Sequence, residues 1–173
     1  MINEQSAQSF LAASNLAYSY GTIAGPSPGY QWFSEIIDVG TGFHAQIFKN
    51  STNNYIVSFT GTESSFQDAY TDLNLGWNQW ASKRTELLQL LLDLKNSGEL
   101  VSVDFTGHSL GGALAQYAAY EYAGEAEPVS FTLTTFNAFG GVQGIEQNLA
   151  PGQSYDSARL AGIDVNHFRV ASD

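Results

Sequence analysis

Ser109 is the residue around which chemistry can be built. It stands in the run Val101-Ser102-Val103-Asp104-Phe105-Thr106-Gly107-His108-Ser109-Leu110-Gly111-Gly112-Ala113-Leu114-Ala115. An alternating β-branched and aromatic segment leads into Gly-His-Ser-Leu-Gly, and an Ala/Leu-rich helix former follows. Strand, tight turn and helix with a serine at the apex is the setting of a nucleophile elbow. Gly107 and Gly111 leave room where the helix crosses the strand. The helix N-terminus directs free N–H groups and the positive end of its dipole at the site. With 17 glycines in the chain the bare pattern is weak, so its weight comes from the flanking elements. The chemistry that suits this setting is nucleophilic acyl transfer. It needs a base, an acid to orient the base, and donors for the oxyanion.

The donors come first. One is the backbone N–H of Leu110, directly after the nucleophile. A second is expected from the end of a neighbouring strand, and Phe59-Thr60-Gly61-Thr62-Glu63 ends such a strand. Gly61 lets the backbone turn close to a substrate, and Thr62 offers both an N–H and a hydroxyl. The same residues also suit an ordinary strand-end turn with a Thr cap.

These residues must be held by the elements around them. Phe10, Leu11, Ser14, Ala17 and Tyr18 share one face at 3.6 spacing and predict a helix over 3–20, with Asn3 as cap and Gly21 as stop. A Gly/Pro loop spans 25–29. Strands are expected over 31–39, 41–49 and 55–60, the first two as antiparallel neighbours joined through Gly40 and the third apolar enough to be central. Residues 63–75 read as a polar-aromatic connection, partly helical. A long helix follows over 77–96, its Leu87, Leu88, Leu91, Leu92 and Leu94 forming a core-facing side. Then come a strand over 100–105, the elbow, a helix over 110–122, an acidic loop over 121–128 and a strand over 129–136. A glycine-rich stretch over 137–155 has room for a short helix near 145–149. A helical turn at 156–160 and a last strand over 165–171 complete the chain. Alternation of strand and helix predicts a three-layer α/β domain with a mostly parallel sheet and an antiparallel edge.

Composition bounds the function. Apolar residues make up 43% and aromatic residues 13% of the chain, enough to supply one real core in 173 residues. Seventeen acidic residues against six basic ones give a net charge of −11. Nucleic acid and anionic surfaces would be repelled, so a nucleic-acid role is rejected. No cysteine is present, which removes disulfides, thiol chemistry and cysteine-based metal sites. No metal and no cofactor is called for by the motifs. The N-terminus lacks a basic segment followed by an apolar one, so it does not read as a signal peptide. No apolar run reaches the length of a membrane span. The expectation is a soluble protein, secreted by a signal-peptide-independent route, with the cytoplasm as the alternative.

Five pieces in order resemble the class 3 lipases, the fungal-lipase-like branch of the α/β-hydrolases. They are Phe59-Thr60-Gly61-Thr62, Asp72-Leu73, Gly107 to Ala115, Thr135-Phe136-Asn137-Ala138-Phe139-Gly140, and Phe168-Arg169-Val170-Ala171-Ser172-Asp173. The Asn-Ala variant after the fifth strand resembles lipase domains of large bacterial secreted proteins. The resemblance implies the α/β-hydrolase fold, either whole or incomplete at the C-terminus, and a lipid or other ester as substrate. It puts Thr62 at the oxyanion-hole position with the Asp72 carboxylate orienting its hydroxyl, although Asp72 also fits a carboxylate with no role. It makes Asp173, after the last strand, the triad acid. Asp156 and Asp164 are poorer candidates by position. Two departures stand out. Thr60 occupies a position where the family often has arginine, and the family's lid is compressed here. Trp77 and Trp80, just past that point, either line an acyl entrance or pack.

The base is the difficulty. His44 sits mid-strand, His108 lies inside the elbow pointing away from Ser109, and His167 is in the last strand. None follows Asp173, where the order Ser…Asp…His requires the base. The simplest expectation is a fragment whose general base comes from a downstream segment or a second chain. The leading reading is a serine carboxylester hydrolase, a lipase, esterase or phospholipase working through an acyl-enzyme on Ser109. The alternative is a catalytically silent lipase-like module that binds a lipid or a protein.

Overall fold

Six strands form one sheet in chain order in the computed structural model, which describes residues 4–16, 25, 29–61 and 73–169. They are β1 (Tyr30–Asp38), β2 (Phe43–Asn50), β3 (Asn54–Phe59), β4 (Ser102–His108), β5 (Ser130–Phe136) and β6 (Asp164–Phe168). Among the described residues the helices are α1 (Glu4–Leu16), α2 (Leu73–Asn96), α3 (Leu110–Tyr122) and α4 (Val142–Asn148), with a 3-10 turn at Ser157–Leu160. β1, β2 and β3 pair antiparallel, whereas β3 to β6 pair parallel. Short turns join the antiparallel strands. Each parallel pair needs a longer crossover, and α2 and α3 supply two of them. The expected α/β architecture with a mostly parallel sheet and an antiparallel edge is therefore the observed one.

The two sheet faces differ in chemistry. On one, Tyr55, Val57, Phe59, Val103, Phe105 and Leu133 meet Trp80, Leu87 and Leu91 of α2 and the small apolar face of α3 in one core. α3 is buried nearly all round, its Ala113, Ala118 and Ala119 allowing close approach to the strands. The other face carries α1 and is mixed, with Phe48, Ile56 and Phe136 packing against Phe10 and Ala13 of α1 beside a polar row. Gln46, Ser58, Thr106, Thr134 and Asn166 lie in one register row across five strands. α1 turns Ser9, Phe10, Ala13 and Ser14 toward this face, and Leu11, expected inside, is 42% exposed.

Several bounds differ from those read in the sequence. α2 starts at Leu73 rather than at 77, because Gly76 fits against Leu110 and Tyr117 instead of ending a connection. β4 continues through Gly107 and His108, which keep strand register with Phe59 and Phe136 respectively. β6 begins at Asp164 rather than at 165 and is exposed except at half-buried Asn166, as befits an edge strand; positions 170 and 171 of the expected strand lie outside the described residues. Asp156 caps the 3-10 turn by accepting from Ala158 N–H at 2.9 Å.

Candidate active site

Ser109 joins β4 to α3 with φ 56° and ψ −124°. A side chain reaches this region only when its surroundings impose it, and such strain clusters at functional sites. Here the surroundings are glycine contacts. A Cβ on Gly111 would lie 2.2 Å from the carbonyl oxygen of Phe59, and one on Gly107 would lie 2.3 Å from the Gly111 carbonyl group. Strand and helix thus touch backbone to backbone on both sides of the serine. Ser109 N–H donates to the Phe136 carbonyl at 3.1 Å, and the Ser109 carbonyl accepts from Gly112 at 3.0 Å and from Phe139 at 3.3 Å. Ser109 is only 6% exposed. Leu110 opens α3, so its N–H belongs to the first turn and has no acceptor within the helix.

The strand end expected to supply the second donor lies beside this turn. Phe59 pairs with Gly107, and Gly111 rests on the Phe59–Thr60 peptide, its Cβ position 2.9 Å from the Thr60 carbonyl carbon. Thr60 and Gly61 are both buried. Thr62, Asp72 and Asp173 lie outside the described residues. The strand that leads to Asp173, β6, runs parallel to β4, so its C-terminal end and Ser109 share one edge of the sheet.

The three histidines are occupied elsewhere. His44 is buried, with Nε2 3.2 Å from Glu35 Oε2 and Nδ1 3.1 Å from Thr60 Oγ1. His167 Nδ1 is 2.6 Å from Thr135 Oγ1, and burial, aided by the Arg169 charge, holds its pKa below the ordinary histidine value. His108 ends β4 and lines a groove under α1 with Leu11, Phe136, Phe168 and Arg169, and burial lowers its pKa too. Ser109 is not among the residues lining that groove. Trp80 is buried against Phe59 and donates its Nε1–H to Glu121 at 3.1 Å, so it packs rather than lining an entrance. Trp77 meets Tyr117 edge to face, with centroids 5.4 Å apart.

One contributor escaped the sequence reading. Gln116 donates to the carbonyls of Gly112 at 3.0 Å and Phe139 at 2.8 Å, and accepts from Gly141 N–H at 2.9 Å. It pins the loop after β5 to α3, directly beside Ser109. An amide in the otherwise apolar run Leu-Gly-Gly-Ala-Leu-Ala-Gln-Tyr-Ala-Ala was the available signal. Among the described residues no group of three or more His, Asp or Glu side chains is placed to hold a metal.

A family model described as a Tle-like phospholipase domain matches residues 30–173. The chloroplastic phospholipase A1-Igamma1 of Arabidopsis thaliana is 42% identical over 69 residues, which cover 35% of this chain and 13% of that protein. The crystal structure of a triacylglycerol lipase from Penicillium expansum superposes with a TM-score of 0.70 at 15% identity, covering 98% of this chain and 70% of the lipase. The Rhizomucor miehei lipase propeptide complex gives 0.62 at 19% identity over 79% of this chain. This chain spans about half of that lipase, 52% of its length. The elbow geometry, the sheet order and the match over 30–173 lead to one conclusion: the chain belongs to the Tle-like phospholipase domain family, on the fungal lipase-like α/β-hydrolase fold.

Proposed function

We propose that this chain carries the nucleophile of a serine carboxylester hydrolase acting on lipid esters. Ser109 Oγ attacks the ester carbonyl while a histidine from outside this chain takes its proton. The tetrahedral oxyanion accepts hydrogen bonds from Leu110 N–H and from Thr62, whose hydroxyl Asp72 orients. Collapse expels the alcohol, which receives the proton back from the histidine. Water, activated by the same base, then releases the acid and regenerates Ser109. Asp173 orients the histidine. Phospholipid is the favoured ester, because the family description and the Arabidopsis relative both name phospholipases.

The observation that carries this reading is the strained serine at φ 56°, held between β4 and a helix that starts with the next residue. The internal histidines support an external base, since both ring nitrogens of His44 are engaged and His167 is held by Thr135. The test is a fluorophosphonate probe on the complete gene product. Modification of Ser109 that disappears in Ser109→Ala supports the proposal. An unreactive Ser109 leaves the silent lipid- or protein-binding module as the reading.

A further inference from the structure

Three side chains outside the elbow form a hydrogen-bonded line. Glu35 Oε2 meets His44 Nε2 at 3.2 Å, and His44 Nδ1 meets Thr60 Oγ1 at 3.1 Å. His44 is 1% and Thr60 6% exposed, while the Glu35 side chain reaches solvent at 29%. Donor chemistry gives the line a direction. An ionised carboxylate only accepts, so Nε2 carries a hydrogen toward Glu35, and in the neutral ring Nδ1 presents a lone pair that takes the Thr60 hydroxyl hydrogen. The same two residues are joined through the backbone, Thr60 N–H donating to the His44 carbonyl at 3.0 Å. Thr60 is therefore bonded to β2 twice, just where β3 ends and its ladder would otherwise release the chain.

That position matters because of what stands on it. Gly111 rests on the Phe59–Thr60 peptide so closely that a Cβ would overlap it. The first turn of α3, with Ser109 before it and Leu110 within it, takes its height over the sheet from this peptide. We infer that Glu35, His44 and Thr60 form a positioning relay for the elbow, setting the floor on which Ser109 and the Leu110 N–H are aligned. The inference rests on the ester-hydrolase reading for its consequence and on the hydrogen-bonded line for its mechanism. It makes His44 a positioning residue, not a base.

The experiment uses Thr60→Val, which keeps the shape and removes the hydroxyl, and Thr60→Ser, which restores it. In the complete gene product, Thr60→Val is expected to slow fluorophosphonate labelling of Ser109 roughly 10-fold, within the roughly 100-fold that a 1 Å misplacement can cost. It should also shift the amide resonances of Gly61 and Leu110. Thr60→Ser should leave both near the parental values. Nitrogen-detected spectra of His44 should show the hydrogen on Nε2 in the parent, and a displaced Nδ1 signal in Thr60→Val. If Thr60→Val fails to fold, Glu35→Ala, changed at the solvent end of the line, should free the ring and move the same amides. Unchanged labelling and unchanged Gly61 and Leu110 amides in a folded Thr60→Val or Glu35→Ala protein overturn the relay. If parental Ser109 does not label at all, the ester-hydrolase reading fails. The amide shifts and their rescue by Thr60→Ser then decide the positioning role alone.

Discussion

Ser109 keeps backbone angles that cost of order 1–3 kcal/mol for a residue with a side chain, and two glycine contacts hold it there. Both contacts are strict, because at Gly107 as at Gly111 the atoms a methyl group would meet are backbone atoms that no rotamer change can move. Gly111→Ala is therefore expected to cost about 2–3 kcal/mol by overpacking and to lose Ser109 labelling, both read from urea denaturation and probe kinetics on one preparation. Folding and labelling at parental levels would mean that the helix does not rest on β3. Asp104, five residues before the serine, makes a separate prediction. Burial pushes its pKa up to about 6, and the hydrogen bond from Thr132 offsets only part of that effect. Its pKa is thus higher in the folded than in the unfolded protein, whose ordinary value is 3.8. The folded state holds the proton longer, so this group's contribution is full below about pH 4, falls as pH rises to about 6, and stays lost above that. Asp104→Asn keeps an acceptor for Thr132 and removes the charge. It should match the parent near pH 4 and exceed it by roughly 1–3 kcal/mol at pH 8 in denaturation experiments. A variant no more stable than the parent at pH 8 would contradict the assignment.

At the scale of elements, the polar row on the α1 face of the sheet is the unusual feature. Ser58 Oγ and Thr134 Oγ1 are buried within it with no hydrogen-bond partner among the described residues. An unsatisfied buried hydroxyl costs about 1–3 kcal/mol, so Thr134→Val is expected to raise stability by about 1 kcal/mol, measured by the denaturation midpoint. A loss of stability would show that the hydroxyl is satisfied in solution. This face also explains what the sequence could and could not reveal. α3 was legible to the residue, because Leu110–Tyr122 is apolar on nearly every side and bounded by the elbow and an acidic loop. The core-facing strands were legible from β-branched and aromatic runs. α1 departs from its periodicity at Leu11 because the apolar patch it meets is small: Phe10 and Ala13 cover Phe48, Ile56 and Phe136, the neighbouring sheet positions are Ser, Thr and Gln, and Ser9 and Ser14 are buried while Leu11 is not. Gly107 looked like turn and proved to be strand, since what it supplies is proximity to Gly111 rather than a change of direction. The Glu35–His44–Thr60 line joins residues of β1 and β2 with the residue just past β3, and no spacing along one strand could have announced it.

At the scale of the whole molecule, the proposed ester hydrolysis raises the question of where its base comes from. In register, His167 pairs with Thr135, and Thr135 with Gly107, so two strand spacings, about 10 Å, separate His167 from the strand that carries the serine. His44 lies opposite Thr60 on the other side, a further strand beyond β3 and about as far away. A general base must come within about 3 Å of the hydroxyl it deprotonates. Two strands of distance exceed what a histidine side chain spans, and both rings already hold hydroxyl partners. The 173-residue chain by itself is thus expected to hydrolyse short-chain esters at only about 10³–10⁴ over water, the residue left when a triad lacks its base. His44→Ala and His167→Ala should not lower that residual rate beyond what their stability loss explains. Adding a histidine-bearing segment of the same gene product, in cis or as a separate chain, should raise turnover by orders of magnitude, and replacing that histidine by alanine should remove the gain. Initial rates with a chromogenic ester, corrected for active protein by Ser109 titration, check each step. Lipase-level turnover by the isolated chain that vanished with His44 or His167 would require one of these rings to leave its hydroxyl partner and cross two strands to Ser109, and would refute the external base.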